Sequence, residues 1–134
     1  MAFIGLVVLL LAPSAFAQAP ILPVTPLENG RGNFLPVIDK LSSARLVEAV
    51  VRRESEFRTD VYGDHGLAYG PAQFHEETFY RIKQRAINKG EPFYFLDYRN
   101  PVAQLTLLNW ALENGYGPEW STYRKALADV RNAS

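Results

Sequence analysis

The chain contains no cysteine, and this absence removes several kinds of chemistry at once. Disulfide bridges, thiolate nucleophiles and cysteine metal sites all require that residue. The two histidines, His65 and His75, have neither the spacing of metal ligands nor a third ligand beside them, which argues against a zinc site. We therefore expect no metal and no other cofactor.

An excess of charge of one sign is also missing. The 14 Lys and Arg residues balance 14 Asp and Glu residues, and no block of like charge reaches five residues. A nucleic-acid-binding surface normally carries a basic patch, so a nucleic-acid partner is not favoured. The length of 134 residues and the 48% hydrophobic content are typical of one globular domain with a modest core.

Long hydrophobic runs are absent except at the N-terminus. Residues 2–12 are apolar and uncharged, and Ala15-Phe16-Ala17 follows as an A-x-A pattern that suits signal peptidase. The run is too short to span a bilayer as a helix, and no cysteine follows it to carry a lipid anchor. No basic residue precedes it, unlike a usual signal peptide, and a buried helix of the domain is the alternative. We interpret residues 1–17 as a signal peptide and expect a periplasmic or secreted protein without a stable membrane anchor.

Residues 18–40 contain four prolines and two glycines without a sustained apolar period. This composition predicts an extended linker. A cell-envelope protein is a candidate partner for this proline-rich segment. The folded domain is then expected to occupy residues 41–131.

Within that domain the hydrophobic spacing predicts mostly helices. Ser42 or Ser43 is the expected N-cap of the first helix. Asn100-Pro101 is a strong start signal for a later helix, because a capping side chain precedes a proline at the first helical position. The expected helices cover residues 43–55, about 75–90, 101–115 and a last segment after Gly117-Pro118 that carries Trp120, Tyr123 and Leu127.

The glycines at 63, 66 and 70 predict turns and a short hairpin between the first two helices. Four aromatic rings in the segment EPFYFLDYR are expected to fill the core for the most part, or else to line a groove. The predicted fold is mainly α, of the α+β kind. A glycine-rich loop forms one wall of its cleft.

Glu54 is the strongest catalytic candidate. Val47, Val50 and Val51 precede it by seven, four and three positions, which places all four residues on one helix face. A carboxyl group held against apolar surface loses hydration of its charged form, so it keeps its proton at higher pH and can act as a general acid. The alternatives are an exposed carboxylate in the last helical turn, or one neutralised by a neighbouring arginine, Arg52 or Arg53.

The motifs around Glu54 resemble a known family. Glu54-Ser55, followed by Gly70-Pro71-Ala72-Gln73, is similar to the Glu-Ser and Gly-Leu-Met-Gln signature of lysozyme-like domains of the soluble lytic transglycosylase type. The family's Met is replaced here by Pro71-Ala72, which changes the shape of the groove. The loop from Gly63 to Gln73 also resembles the Gly-Asp-x-Gly pattern of goose-type lysozymes. The resemblance covers roughly residues 41–127.

This resemblance implies an enzyme that acts on peptidoglycan glycan strands. Glu54 would protonate the glycosidic oxygen between N-acetylmuramic acid and N-acetylglucosamine and then act as a base. Ser55 would hydrogen-bond near the acid or the substrate, or else be a helix hydroxyl without a functional role. Gln73 would bind polar groups of the substrate and brace the loop, or only make a structural bond to the loop backbone.

Three tyrosines, Tyr62, Tyr69 and Tyr98, are candidates for stacking on sugar rings, with a place in the core as the alternative. Asp64 matches the position of a second acid in goose-type lysozymes. There it would position water for an inverting hydrolysis, with the two carboxyl groups about 6.5–9.5 Å apart. A structural turn is the alternative for Asp64. For the whole domain, a non-catalytic peptidoglycan-binding module is the alternative to an enzyme.

Overall fold

The computed structural model describes residues 26–133, which form five α-helices, a three-stranded antiparallel sheet and three short 3-10 helices. The prediction of a small, mainly α domain is confirmed, whereas the predicted signal peptide (1–17) lies outside the described residues. The α-helices are α1 (Arg31–Ile38), α2 (Ala44–Ser55), α3 (Glu76–Asn88), α4 (Pro101–Glu113) and α5 (Tyr123–Asn132). The strands are β1 (Tyr62–Gly63), β2 (Ala68–Tyr69) and β3 (Phe74–His75), and the 3-10 helices cover Asp64–Gly66, Phe93–Phe95 and Gly117–Glu119.

Helix α1 corrects part of the linker predicted over residues 18–40, of which residues 18–25 lie outside the described residues. Residues 31–38 are helical, and Phe34 and Ile38 are fully buried in the core. Pro36 lies inside this helix, and the following Asp39 N–H still donates to the Leu35 carbonyl oxygen at 2.8 Å. The proline count suggested extended backbone because the apolar pair Phe34 and Ile38 is too short a pattern to reveal a helical period.

Helix α2 begins after Ser43 as predicted, but neither serine caps it through its side chain. The Ser43 N–H donates to the Asn109 side-chain oxygen of α4 at 2.9 Å, and the Ser42 hydroxyl donates to the Glu113 carboxylate. Both serines therefore bind the neighbouring helix instead of the open end of their own. A tertiary contact has replaced the local cap.

Helix α4 lies at the centre of the domain. Asn100 caps it as predicted, since its side-chain oxygen accepts from the Val102 and Ala103 N–H groups at 2.9 and 3.1 Å. Instead of one apolar stripe, most of its length is buried, because both α2 and α3 pack against it. A helix that is apolar on all sides is characteristic of such a central position.

The sheet forms the predicted turn region between α2 and α3. Its strand order is β1-β2-β3, with Tyr62 opposite Tyr69 and Gly63 opposite Ala68. Ala68 in turn lies opposite His75 on β3. Cross-strand partners share a face, so Gly63, Ala68 and His75 lie on one face and the two tyrosines on the other.

The aromatic segment after α3 is divided between core and surface. Phe93 and Tyr98 are buried, but Tyr94 and Phe95 are mostly exposed. Lys83 of α3 fixes this segment by donating to the carbonyl oxygens of Tyr94 and Leu96. The expectation that most of these rings fill the core is therefore correct for only two of the four.

Helix α5 packs mainly against α2 and completes the bundle. It begins at Tyr123, later than the Gly117-Pro118 restart suggested, because a 3-10 turn comes first. Trp120 lies between the two elements and is buried. Within residues 26–133, none of the helices has the length and apolar character needed to cross a membrane.

Candidate active site

A cavity of about 450 Å³ lies between the end of α2, the sheet, the start of α3 and the segment before α5. The sequence-predicted residues Glu54, Asp64 and Gln73 all line it. Its other lining residues are Ala68, Phe74, His75, Thr78, Glu119, Trp120 and Ser121. The loop and the helix end that the sequence singled out therefore meet at one site.

Glu54 is held at the end of α2 in a partly buried position. Val47, Val50 and Val51, on the same helix, are fully buried, as the predicted stripe required. The Thr122 hydroxyl donates to Glu54 Oε1 at 2.6 Å. Burial raises the pKa of the Glu54 carboxyl above its ordinary value, and the hydrogen bond from Thr122 partly opposes this by stabilising the charged form.

The neighbouring arginines do not neutralise Glu54. Arg52 pairs with Glu48 at 3.2 Å, and Arg53 makes two hydrogen bonds to Asp129 at 2.6 and 2.8 Å. Both guanidinium groups thus have other carboxylate partners. The polar partner of Glu54 is a neutral hydroxyl, and its burial is not offset by an ion pair within residues 26–133.

The backbone turns sharply just after Glu54. Glu56 and Phe57 both have left-handed φ angles, 53° and 59°, which are unfavourable for residues other than glycine. Phe57 is held there by an edge-to-face contact with Phe34 of α1, at 5.6 Å between ring centroids. The Gly30 N–H also donates to the Phe57 carbonyl oxygen at 2.8 Å. The segment predicted as a linker therefore fixes the helix end that carries Glu54.

Asp64, unlike the partly buried Glu54, is exposed to solvent. Its side chain is 57% exposed and its Oδ2 lies 2.7 Å from His75 Nε2. Asp64 and His65 both have left-handed φ angles, 51° and 58°. The turn interpretation is thus correct for the backbone, while the side chain still lines the cavity. The two alternatives for Asp64 are compatible in this geometry.

Gln73 braces the loop as expected. Its Nε2 donates to the Val61 and Gly70 carbonyl oxygens at 2.9 and 3.0 Å. Its Oε1 lies where a β-carbon on Gly63 would be, so a larger residue at that position would have to displace the Gln73 side chain. Gln73 also lines the cavity, which leaves its predicted role in substrate binding open to test.

Ser55 is not placed to bind substrate, which corrects its predicted role. Only 1% of its surface is exposed, and its hydroxyl donates to the Val51 carbonyl oxygen at 3.2 Å. A serine in the last helical turn often bonds back to the carbonyl four residues earlier. The alternative of a helix hydroxyl is the one that the structure supports.

The three candidate tyrosines lie in two different environments. Tyr98 is 4% exposed and its hydroxyl donates to the Phe74 carbonyl oxygen at 2.8 Å, so its predicted stacking on sugar is wrong. Tyr62 and Tyr69 lie on the face of the sheet that does not contain Ala68 and neither lines the cavity. They pack on each other with ring centroids 4.9 Å apart. If they bind sugar, they do so outside the cavity.

Three residues of the site carry no functional signal in the sequence. Thr122, the partner of Glu54, lies 68 residues further along the chain, and nothing in its local pattern marks it. Trp120 shows only a helical spacing in the sequence, yet it lines the cavity and its Nε1 donates to the Ala72 carbonyl oxygen at 2.8 Å. His75, which lacks metal-ligand spacing, is the partner of Asp64.

Within residues 26–133, no group of three or more His, Asp or Glu side chains is arranged to hold a metal ion. No family model matches the chain, and no curated protein or solved structure is significantly similar to it. The chemistry of the site must therefore be argued from its own residues.

Proposed function

We propose that this protein is an exported peptidoglycan lytic transglycosylase, which cleaves the β-1,4 bond between N-acetylmuramic acid and N-acetylglucosamine. The observation that carries the proposal is the Glu54 carboxyl, which lines a cavity with its pKa raised by burial. Such a group keeps its proton at higher pH than a solvated glutamate, as a general acid must. The motif resemblance of Glu54-Ser55 and the Gly70–Gln73 segment supplies the substrate class.

In the proposed reaction Glu54 donates its proton to the glycosidic oxygen, so that N-acetylglucosamine leaves as an alcohol. The acetamido oxygen of the muramic acid attacks the anomeric carbon of that sugar, from which the alcohol leaves, and forms a cyclic intermediate. The Glu54 carboxylate then takes the proton of the muramic 6-hydroxyl, whose oxygen displaces the acetamido oxygen. The products are a 1,6-anhydro end and a regenerated, protonated Glu54. No second protein carboxylate is needed.

The hydrogen bond from Thr122 suits this cycle. Its hydroxyl occupies Oε1 as an acceptor, which leaves Oε2 of Glu54 to carry the exchanged proton. Burial favours the neutral acid before the first step, and the Thr122 bond stabilises the carboxylate formed in that step. The two influences oppose each other, which keeps both protonation states accessible.

An inverting lysozyme is the second candidate, because Asp64 lines the same cavity as Glu54. In that reaction Asp64 would activate a water molecule on the far side of the sugar, and His75 would orient its carboxylate. The product would have an ordinary reducing end. A non-catalytic peptidoglycan-binding module is the third possibility, and it predicts binding without cleavage.

The test uses Glu54→Gln, which keeps the shape of the side chain but has no proton to donate. We expect it to abolish the release of muropeptides from purified sacculi. The matched control is Glu56→Gln, at an exposed position two residues further on, which should keep full activity. Circular dichroism should show the same helical content in both variants. Retained cleavage by Glu54→Gln would contradict the proposal.

Mass spectrometry of the wild-type products separates the candidates. Anhydromuramic ends support the transglycosylase, whereas reducing ends support the lysozyme. Binding of the wild-type protein to sacculi with no soluble product at any pH would support the binding module instead.

A further inference from the structure

A second group of side chains lies on the sheet face opposite to Ala68. It consists of Tyr62, Tyr69 and Arg99, and we call it the Arg99 cluster. The Arg99 guanidinium carbon lies 4.7 Å from the centre of the Tyr69 ring and 5.9 Å from that of Tyr62. Arg99 Nη1 donates to the Tyr62 hydroxyl at 2.7 Å. The cation is thus oriented by aromatic groups.

Arg99 has no ion-pair partner among residues 26–133. Four other arginines do have a carboxylate partner, since Arg31 and Arg52 pair with Glu48, Arg53 with Asp129, and Arg81 with Glu119. The nearby Asp97 carboxylate accepts the Arg99 backbone N–H at 2.8 Å. The Arg99 guanidinium is therefore both fixed in direction and free to receive an anion.

The chemistry of this arrangement favours a carboxylate. A guanidinium presents a planar fork of donors that matches the two oxygens of a carboxylate, and stacking on rings holds that fork in place. Tyr62 is 55% exposed, so a ring face remains open beside the cation for an apolar part of the same ligand. Such an exposed tyrosine face next to a fixed cation suits an acidic branch of a carbohydrate chain.

The cluster is close to the candidate active site along the chain and across the sheet. Tyr69 follows Ala68, which lines the cavity, and Tyr62 lies two positions before Asp64, which also lines it. β1 is an edge strand of the sheet that residues 26–133 form, so the two faces of the sheet meet along its outer edge. A branch attached to a glycan in the cavity has a short route to the guanidinium.

We propose that Arg99 binds a carboxylate carried by the peptidoglycan strand whose glycan lies in the cavity, with Tyr62 and Tyr69 orienting the guanidinium. This inference rests on the proposed function. The carboxylate has two possible sources, the stem peptide where one is attached, and the lactyl group of a muramic acid that has lost its stem peptide, since the lactyl carboxyl is otherwise an amide. Both offer the same chemistry to Arg99.

The experiment measures binding instead of cleavage. Glu54→Gln serves as the parent protein, and Arg99→Gln is added to it to remove the charge. Arg131→Gln, at an exposed arginine near the end of α5, is the matched control. Affinity is determined for three probes: intact sacculi, sacculi stripped of stem peptides by an amidase, and an N-acetylglucosamine oligomer, which has no carboxylate.

We expect Arg99→Gln to weaken binding to intact sacculi about tenfold, as the loss of one charged hydrogen-bonded contact commonly does. Binding to the neutral oligomer should be unchanged, and Arg131→Gln should bind all probes like the parent. A loss confined to intact sacculi identifies the stem peptide, and a loss confined to stripped sacculi identifies the lactyl carboxylate, which the amidase releases from its amide bond. A loss on both kinds of sacculi shows that Arg99 accepts either carboxylate. Arg99→Lys should retain part of the affinity, because it keeps the charge without the fork.

Two results would overturn the inference: equal weakening on all three probes, and no weakening on any of them. The first would mean that Arg99 only maintains the fold, which thermal melting of the variant checks independently. Failure here is distinguishable from failure of the proposed function. Cleavage retained by Glu54→Gln refutes the catalytic assignment, and a carboxylate-independent Arg99 refutes only the binding site.

Discussion

The two carboxyl groups of the cavity, Glu54 and Asp64, occupy opposite environments. Glu54 is partly buried at the end of a helix and is bonded to the neutral hydroxyl of Thr122. Asp64 is mostly exposed on a loop and is bonded to His75. Burial next to a neutral partner favours the protonated form of Glu54. The difference assigns Glu54 the role of proton donor in our proposal.

The contacts that hold Glu54 and Asp64 in place also differ. Helix α2, which carries Glu54, packs against α1, α4 and α5. The loop that carries Asp64 is held by the side chains of two glutamines, Gln73 and Gln104. Gln104 is fully buried, accepts the Ala72 N–H at 3.1 Å, and donates to the Tyr69 and Tyr98 carbonyl oxygens. Packing between helices thus fixes one group, and side-chain amides fix the loop of the other.

The largest expected contrast is in the rate of cleavage. Glu54→Gln should lower the rate about 100- to 10,000-fold, which is the usual contribution of a general acid. Asp64→Asn should lower it less than about tenfold, because the proposed transglycosylase reaction uses no second carboxylate and Asp64 would only line the cavity. Initial rates of muropeptide release from sacculi measure both. If Asp64→Asn lowered the rate of cleavage as much as Glu54→Gln does, that result would contradict the transglycosylase and favour the lysozyme mechanism.

The next contrast concerns the stability of the loop. Gly66 and Gly70 both have left-handed φ angles, 89° and 84°, but only Gly70 faces the Gln104 side chain closely. Gly66→Ala should cost about 1–2 kcal/mol of unfolding free energy from its backbone conformation alone. Gly70→Ala should cost about 1–3 kcal/mol more, because the new methyl group displaces a buried amide.

Urea unfolding of both glycine variants measures this difference. Equal losses of stability at the two positions would show that the close approach of Gln104 to Gly70 does not constrain the loop. Gln104→Leu removes the hydrogen bonds of the Gln104 side chain without changing either glycine. Its loss of unfolding free energy measures independently how much the buried amide contributes to stability.

A smaller effect is expected on the pH dependence of activity. The Thr122 hydroxyl lowers the pKa of Glu54 by stabilising its charged form, so Thr122→Val should raise that pKa further. Activity that needs the protonated acid is lost as the pH rises through this pKa, and the variant should therefore lose it at higher pH. Thr122→Ser keeps the hydroxyl and should behave like the wild type.

Thr106→Val is the control for the pH experiment. Its hydroxyl donates to the Val102 carbonyl oxygen within α4, at 2.9 Å, and Thr106 does not line the cavity. The pH profile of this variant should match that of the wild type. A shift to lower pH in Thr122→Val would contradict the role given to the Thr122 bond.

The smallest expected effect is on the pH dependence of stability. Burial raises the folded-state pKa of Glu54 above its value in the unfolded chain, so the folded protein binds more protons between those two values. Stability therefore falls as the pH rises through this window. Glu54→Gln has no such loss and should exceed the wild type in stability by more at neutral pH than at acid pH. Urea unfolding at both pH values tests the sign of the difference.

Much of the helical architecture could be predicted because its signals are local. The valine stripe before Glu54 and the Asn100 cap each lie within one or two helical turns, so the sequence predicts α2 and α4 correctly. The sequence does not predict helix α1, because the apolar contacts of this helix, above all that of Phe34 with Phe57, are made with distant residues. The predicted serine cap of α2 is absent for the same reason, since the Ser42 hydroxyl bonds to Asn109 and Glu113 of α4.

The sequence by itself determined where the acid lies and that its helix face is apolar, because a 3.6-residue period is a property of the local chain. Only the tertiary structure decided what surrounds that acid. It brought Thr122 to Glu54, turned Arg53 away to Asp129, and placed Asp64 beside His75. The first two contacts join residues 68 and 76 positions apart in the chain, and they arise only when α5 packs against α2.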